Sequence, residues 1–452
     1  MLYPEQFIAP KGFEPADTIN SNEYTITTQL RFAVYDHRFV YDRDKLIKRY
    51  LIVLRDEAGN IVRWTNFHRY AAGGKKKTSV SVYATDKKRC QTAVKLLNFV
   101  FFEKYHIAKL TDITAEMVQD FLVDYGLCKL SGDDEDTHRS EQTVNRCVSH
   151  TIDFIERMVN DGKPCKVNVD ELYRRETVFS RTRKRYVEKK VPAVKVYYND
   201  RGRKMILRDI PEKAFQIVMN EIVENHTNIL MLAACGAFAG MRPSECCNVR
   251  RVDSALGPGI RFEMWGGEVV NVIIDLSEEK NLRSDLVSVG GIKKERTQRV
   301  YPAFVEAFMG CYNVYMAYIE GRPYEEAYGA LTNTSFGKAY TYDAYLAEFK
   351  QVVAAVIPKM LASDDEKVVH YGQLLLEHNL SPHVFRHWFS VKLTIYGETV
   401  SELMHWRGDT SPESALTYIS GKSELEKMHN EVCDKLFGYN LWRASKVMGN
   451  KE

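Results

Sequence analysis

The sequence predicts a mainly α-helical fold with a small antiparallel β-sheet, divided into a helical domain and a mixed α/β domain. Three observations predict it. Apolar residues recur at helical spacing through residues 87–170, and again near 211–238, 304–320, 342–357 and 382–407. Between those groups, residues 260–301 read as short strands that turn at Gly266-Gly267 and Gly290-Gly291. Hydrophobic residues make up 45% of a 452-residue chain, enough for real cores in two or three domains.

Charge and cysteine usage narrow the class. Lys and Arg number 63 against 60 Asp and Glu, a net charge of +3, so any attraction to nucleic acid must come from local basic runs. No apolar run approaches the roughly 18 residues of a membrane span, and Met1–Glu5 lacks a basic and apolar leader. The nine cysteines are odd in number and lie in apolar contexts, and Cys246-Cys247 fits no zinc spacing. Reduced, buried thiols in a cytoplasmic protein are expected.

Taken in order, residues 1–86 form an N-terminal extension. Tyr24–Leu30 alternates weakly like a strand. Tyr50–Leu54, a turn over Asp56–Asn60 and Ile61–Trp64 read as strand, turn and strand. Gly73-Gly74 with Lys75–Lys77 is a basic loop.

Residues 87–172 are expected to be a helical domain. Val94, Leu97, Phe101 and Tyr105 form one stripe. Thr114 is placed to cap a helix carrying Met117, Phe121 and Leu122, with Gly126 at its end. An acidic loop, Gly132–Asp136, precedes a helix opened by Ser140 with Val148, Ile152 and Ile155 inside. Residues 173–195 crowd Arg174, Arg175, Arg181, Arg183, Lys184, Arg185, Lys189 and Lys190 into what reads as a basic linker, suited to phosphate contact.

The second domain is expected over 196–438, with a tail at 439–452. Pro211-Glu212 starts a helix burying Phe215, Val218, Met219 and Ile222, and Asn228 is placed to cap the apolar helix 229–238. Gly240 ends that helix, and Pro243 suits the first position of the next. Arg242 then lies at a helix N-terminus, where the backbone also favours an anion, with Glu245 near enough to hold its guanidinium. Ile260–Trp265 and Val269–Leu276 read as a hairpin, and Asp285–Val289 with Arg296–Tyr301 as a second strand pair.

Residues 381–420 read as three short helices. The first is capped by Ser381, carries Val384, Trp388, Val391 and Ile395 on its apolar face, and ends at Gly397. On another face His383 and Arg386, three apart, can address one anion. A second helix runs from Thr399 to Arg407 and stops at Gly408. Ser411-Pro412-Glu413 opens a third, which carries Tyr418 and closes at Gly421. Beyond it Leu425, Met428, Val432 and Leu436 mark an amphipathic helix.

His383-Val384-Phe385-Arg386, the turn at Gly408 and Tyr418, together with the upstream box Gly240-Met241-Arg242-Pro243-Ser244-Glu245, resemble the signature of the tyrosine recombinase (phage integrase) family. The resemblance covers roughly residues 88–436. It implies a helical core-binding domain that clamps the duplex, followed by a mixed α/β catalytic domain. It leaves the 1–86 extension open between an arm-type DNA-binding region and a structural extension.

The resemblance also implies the site. Arg242 and Arg386 would clamp the scissile phosphate, Tyr418 would attack to form a 3′-phosphotyrosine, and His383 would assist proton transfer or hold the phosphate. A lysine of the second strand pair would protonate the leaving 5′-oxygen. Counting back eight residues from Pro302, as the family pattern suggests, gives Lys294, with Lys293 second and Lys280 third. No clustered carboxylates or His/Cys spacing suggests a metal, and no cofactor is expected.

One position departs from the family. Nine residues before Tyr418, where the family usually has His or Trp, stands Asp409. A carboxylate repels a phosphate unless protonated. Asp409 would then orient Arg386 or His383, with His405 or Trp406 filling the vacated role, or it would weaken catalysis. Otherwise His387 and His405 are read as peripheral.

The expected function is site-specific recombination or integration of double-stranded DNA, in a mobile-element context. The family assembly is a homotetramer on two DNA sites, with room for accessory DNA-bending proteins. The rival readings are a catalytically weakened, DNA-binding member of the family and a type IB topoisomerase-like strand transferase.

Overall fold

The computed structural model describes residues 30–41, 44–71, 84–134, 137–162, 166–180, 185–194, 196–198, 206–207 and 209–409. The strand expected over 24–30 (save Leu30), the Gly73–Lys77 loop, the third helix with Tyr418, the C-terminal helix and the tail lie outside the described residues. The chain divides into two compact units, residues 1–38 with 47–203, and residues 39–46 with 204–452.

The first unit contains most of a sheet ordered β1 (Arg31–Tyr41), β2 (Lys45–Arg55), β3 (Ile61–Trp64). The expected strand, turn and strand are β2 and β3, paired antiparallel, with Asp56 accepting from the Asn60 backbone across the turn. A short α1 (His68–Ala71) leads to α2 (Ala84–Asn98), which continues as a π-helical turn through Glu103. Then come α3 (Ala115–Gly126) and α4 (Glu141–Asn160). Thr114 caps α3 as expected, its hydroxyl accepting from Met117 N at 3.3 Å. Ser140 stands at the N-cap of α4, but its side chain accepts no backbone N–H there.

Phe32, Ile52 and Leu54 of the sheet share one buried core with Leu97, Phe101, Phe121, Leu122, Ile152 and Ile155 of the helical segment. Sheet and helices thus share one core. The segment read as a basic linker is instead an antiparallel hairpin, β4 (Tyr173–Ser180) and β5 (Arg185–Pro192). Its carboxylates explain the difference: Arg174 pairs with Glu176 and Arg175 with Glu188, so part of the basic charge is offset locally.

The second unit is built around α6 (Leu230–Ala239), all of whose residues are buried. It is preceded by β6 (Ile206–Leu207) and α5 (Glu212–Asn225). A single 3-10 turn, Thr227–Ile229, precedes α6, and Asn228 does not cap it; its amide donates to the Tyr340 hydroxyl. A one-turn α7 (Pro243–Cys246) follows. The sheet is antiparallel and ordered β7 (Ile260–Trp265), β8 (Glu268–Leu276), β9 (Arg296–Arg299).

The expected β7–β8 hairpin is present. Asp285–Val289 is not a strand: the Asp285 carboxylate gathers Arg283, Lys338 and Val287 N, which fixes a local turn instead of a ladder. β9 pairs with β8, placing Arg296 opposite Leu276.

Five further helices follow among the described residues: α8 (Val305–Ile319), α9 (Tyr342–Leu361), α10 (Glu366–Glu377) and, after β10 (Asn379–Leu380), α11 (His383–Ile395) and α12 (Val400–Arg407). α10 has no counterpart in the sequence reading. β10 pairs in parallel with β6. The Phe215 and Trp388 rings stack at 4.1 Å and Glu212 accepts from Trp388 Nε1, joining α5 to α11.

α11 buries Val384, Phe385, Trp388, Phe389 and Leu393, a face turned slightly from the one expected; Val391 and Ile395 are only half-buried. Ser381 does not cap it by its side chain; Pro382 holds the N-cap position. α12 begins with a capping box between Thr399 and Glu402 and ends at a left-handed Gly408, as expected. No helix among the described residues is long and apolar enough to cross a membrane.

Candidate active site

Arg242 precedes the single turn of α7. Its backbone N–H donates to Glu245 Oε2 at 3.1 Å and its Nη1 to Glu245 Oε1 at 3.0 Å. α7 has four residues, so its dipole adds little to an anion site; the charge comes from the side chains. Arg386, in the first turn of α11, points inward and is 4% exposed. Its Nη1 donates to the carbonyls of Gly240 and, at 2.9 Å, Arg407.

The two arginines, from boxes far apart in sequence, meet at one atom. Arg242 Nη2 and Arg386 Nη2 each donate to Asp409 Oδ1 at 2.7 Å. The other carboxylate oxygen, Oδ2, lies 3.1 Å from Arg407 Nε as an ion pair. Asp409 therefore lies between the two guanidiniums, hydrogen-bonded to Arg386 and to Arg242.

His383 starts α11 and stands exposed, three residues before Arg386. Lys293 and Lys294 are exposed in the loop that precedes β9, and neither ammonium has a partner among the described residues. Lys280 differs: it ion-pairs with Asp44 and, at 3.6 Å, with Glu278. His405 is exposed, and Trp406 packs edge-on against Tyr301 at 5.1 Å. Tyr418 lies outside the described residues, nine residues beyond Asp409.

Glu245 is fully buried and is the anion on which the site is assembled. It also accepts from Arg296 Nη2 at 2.8 Å, Arg296 Nη1 at 3.2 Å and Lys293 N at 3.3 Å. Burial alone would raise its pKa; the Arg296 hydrogen bonds, then the Arg296 and Arg242 charges, overcome that and hold it at about 2. Arg386 is lowered to about 9 by burial and then by Arg242 and Arg407, against the pull of Asp409 and Glu245. It therefore stays charged at neutral pH.

Although the His383 ring reaches solvent, the protein crowded around it, and then the charges of Arg386 and Arg242, lower its pKa below the usual imidazole value. It is neutral at pH 7 and able to accept a proton.

Two arginines of the cluster carried no role in the sequence reading. Arg296 meets Glu245 from 51 residues away, whereas Arg407 pairs with Asp409 only two residues on; neither stands in a motif that marks it. Four guanidiniums, Arg242, Arg296, Arg386 and Arg407, face two carboxylates, Glu245 and Asp409, leaving an excess of two positive charges. Such a cluster can bind an anion and stabilise added negative charge on it.

No protein-family model matches the sequence, and no curated protein matches it. Among solved structures, the fold is similar to that of the XerH site-specific recombinase bound to its difH substrate before cleavage, at 14% identity. That match covers 74% of this chain and 76% of that one, with a TM-score of 0.41. It is also similar to a Tn1549 transposon integrase in complex with circular intermediate DNA, at 14% identity over 80% of this chain and 99% of that one, with a TM-score of 0.46. A lambda integrase dimer bound to a core site matches at 12% identity over 78% and 75%, with a TM-score of 0.38. At these identities the likeness is one of fold, and what the chain does is argued from its own residues.

Proposed function

We propose that this chain is a tyrosine-type site-specific DNA recombinase that cuts and rejoins duplex DNA through a 3′-phosphotyrosine intermediate, with no requirement for a metal ion. The observation that carries the proposal is the meeting of Arg242 and Arg386 at one oxygen of Asp409, at the base of the segment that leads to Tyr418.

A phosphodiester resists attack because its anionic oxygens repel the nucleophile and the departing alkoxide is a poor leaving group. Guanidiniums answer the first difficulty. Each has five N–H donors; Arg386 commits three of them and Arg242 two among the described residues. The remaining donors address the non-bridging oxygens and the charge that grows on them in the transition state. Asp409 holds the pair in register rather than contacting the phosphate itself.

Tyr418 Oη attacks phosphorus, and its proton passes to neutral His383. The P–O5′ bond breaks as Lys294 (or Lys293) gives a proton to O5′. The covalent intermediate conserves the bond energy, so a second 5′-hydroxyl can reverse the step on another strand. By the same resemblance, the working assembly is a homotetramer holding two duplexes in the cytoplasm. Residues 425–436 would dock on a neighbouring subunit, with accessory DNA-bending proteins as further partners.

A binding-only protein of this fold is the second reading. Asp409 favours it, because it supplies an acceptor where the family supplies a donor.

The test is a nicked suicide duplex taken from the DNA flanking the gene, incubated with wild type and Tyr418→Phe in EDTA. A detergent-stable protein–DNA adduct formed by wild type and lost in Tyr418→Phe is expected. Binding without an adduct from either protein would move the binding-only reading ahead. Strand exchange between two sites, as against relaxation of a single supercoiled circle, separates a recombinase from a topoisomerase.

A further inference from the structure

We propose that Arg296 is a positioning residue that ties the lysine-bearing loop to the two-arginine clamp, so that the leaving-group acid and the phosphate-binding groups are set by one side chain. This rests on the recombinase reading.

Arg296 opens β9, with its side chain 10% exposed, and its guanidinium joins three segments. Toward α7, Nη1 and Nη2 grip the two oxygens of Glu245 at 3.2 and 2.8 Å. Toward the loop, Nη1 also donates to the Lys294 carbonyl at 2.9 Å. Toward the end of α12, Nε donates to Gln298 Oε1 at 2.7 Å, and Gln298 Nε2 donates to the Trp406 carbonyl at 2.7 Å. The turn at Gly408 lies directly against it: a Cβ there would fall 2.4 Å from Arg296 Nε.

These bonds close a ring. From Arg296 it runs through Gln298 to Trp406, along the backbone to Asp409, across to Arg242, through Glu245 and back to Arg296. The lysine loop is pinned to this ring on both sides, by Lys293 N on Glu245 and by the Lys294 carbonyl on Arg296.

The lysine side chains themselves are exposed and have no partner among the described residues. Their reach toward a 5′-oxygen is therefore set by where the backbone is held. Residues 277–295 contain no strand or helix, and a segment of that kind explores many conformations unless anchored. The grip requires a planar fork with donors in three directions, which an ammonium does not offer.

The inference separates two parts of the reaction that chemistry can also separate. With oxygen at the 5′ bridge, Tyr418 Oη bonds to phosphorus, the P–O5′ bond breaks and O5′ takes the lysine proton. With sulfur at that bridge, the P–S bond breaks and the thiolate leaves without needing the proton. The experiment compares adduct formation on the two duplexes, both drawn from the DNA flanking the gene, for wild type, Arg296→Lys, Arg296→Gln and Lys294→Ala. Thermal unfolding confirms that each variant is folded; Arg296→Lys keeps a charge beside Glu245 and serves if Arg296→Gln does not fold.

The expected result is a slowing of roughly 100-fold for both Arg296 variants on the oxygen duplex, the scale of a lost general acid, and at least about tenfold less slowing on the sulfur duplex. Equal slowing on the two duplexes, or a wild-type rate for Arg296→Lys, overturns the positioning role while leaving the recombinase reading in place. Absence of an adduct from wild type on both duplexes overturns that reading, and the role of Arg296 with it.

Discussion

A fully buried Glu245 surrounded by Arg242, Arg296 and the Lys293 amide stabilises the site only while it is ionised. Its pKa falls from 4.5 to about 2 on folding, with burial opposed and outweighed by the two arginines. A depressed carboxylate contributes stability that is present above its unfolded pKa and lost as pH falls through the folded one. The stability gap between wild type and Glu245→Gln should therefore narrow by about 3 kcal/mol as pH drops from 4.5 to about 2, on the pKa difference alone. Chemical denaturation at stepped pH measures this, and a gap independent of pH would refute the assignment. His383 gives the matching kinetic test. As its pKa lies below 6.5, the acid limb of adduct formation should fall below that pH. His383→Gln should remove the limb and cost roughly 100-fold in rate. Part of this residue-level chemistry was legible, because Arg242 with Glu245 and His383 with Arg386 each stand at a spacing that local structure translates into neighbourhood; Asp409 stood out only through the family resemblance, since the arginines it meets lie 167 and 23 residues away. Arg296 was not legible, because Glu245 lies 51 residues before it and the Gly408 turn it packs against lies far beyond it, and only the folded chain brings them together.

At the scale of elements, the turn after α12 is the hinge on which Asp409 hangs. Gly408 ends the helix with φ 63°, a region where a Cβ is strained, and it also meets Arg296. Gly397 ends α11 with φ 92° but has open space around it. Gly397→Ala should therefore cost only backbone strain, on the order of 1 kcal/mol, with adduct formation close to wild type. Gly408→Ala should cost more and should also slow adduct formation, since it displaces the guanidinium that holds the lysine loop. Equal effects of the two substitutions on rate would count against the ring. Both glycines were readable in advance, since a glycine after an apolar periodic run is a stop signal. So was the β7–β8 hairpin, from alternation and a Gly-Gly turn. The strand expected over 285–289 was not formed, because apolar alternation cannot report that Asp285 will spend its acceptors on Arg283, Lys338 and its own turn. The β4–β5 hairpin was hidden for the converse reason: its charges read as a solvated run, while cross-strand pairs such as Arg175 with Glu188 appear only once the strands face each other.

For the whole molecule, charge sets the last test. A chain with 63 basic and 60 acidic residues has almost no general attraction for DNA, so binding must come from places where basic residues outnumber their partners. The arginine cluster is one such place; the β4–β5 hairpin is less basic than its composition suggests, because Glu176 and Glu188 pair with Arg174 and Arg175. Each phosphate contact releases condensed counterions, so the logarithm of the binding constant should fall linearly with the logarithm of salt, with a slope of about −0.9 per contact. Measured with Tyr418→Phe on a duplex from the flanking DNA, wild-type Arg242 and Arg386 should give a slope steeper by up to about two units than the doubly substituted Arg242→Gln/Arg386→Gln protein. Arg174→Gln/Arg175→Gln should change it by less, because each of those arginines already has a carboxylate partner that must be given up before a phosphate is gained. A salt-independent association, or a slope untouched by loss of both clamp arginines, would place the duplex somewhere other than this cluster and remove the phosphate-clamp reading at its base.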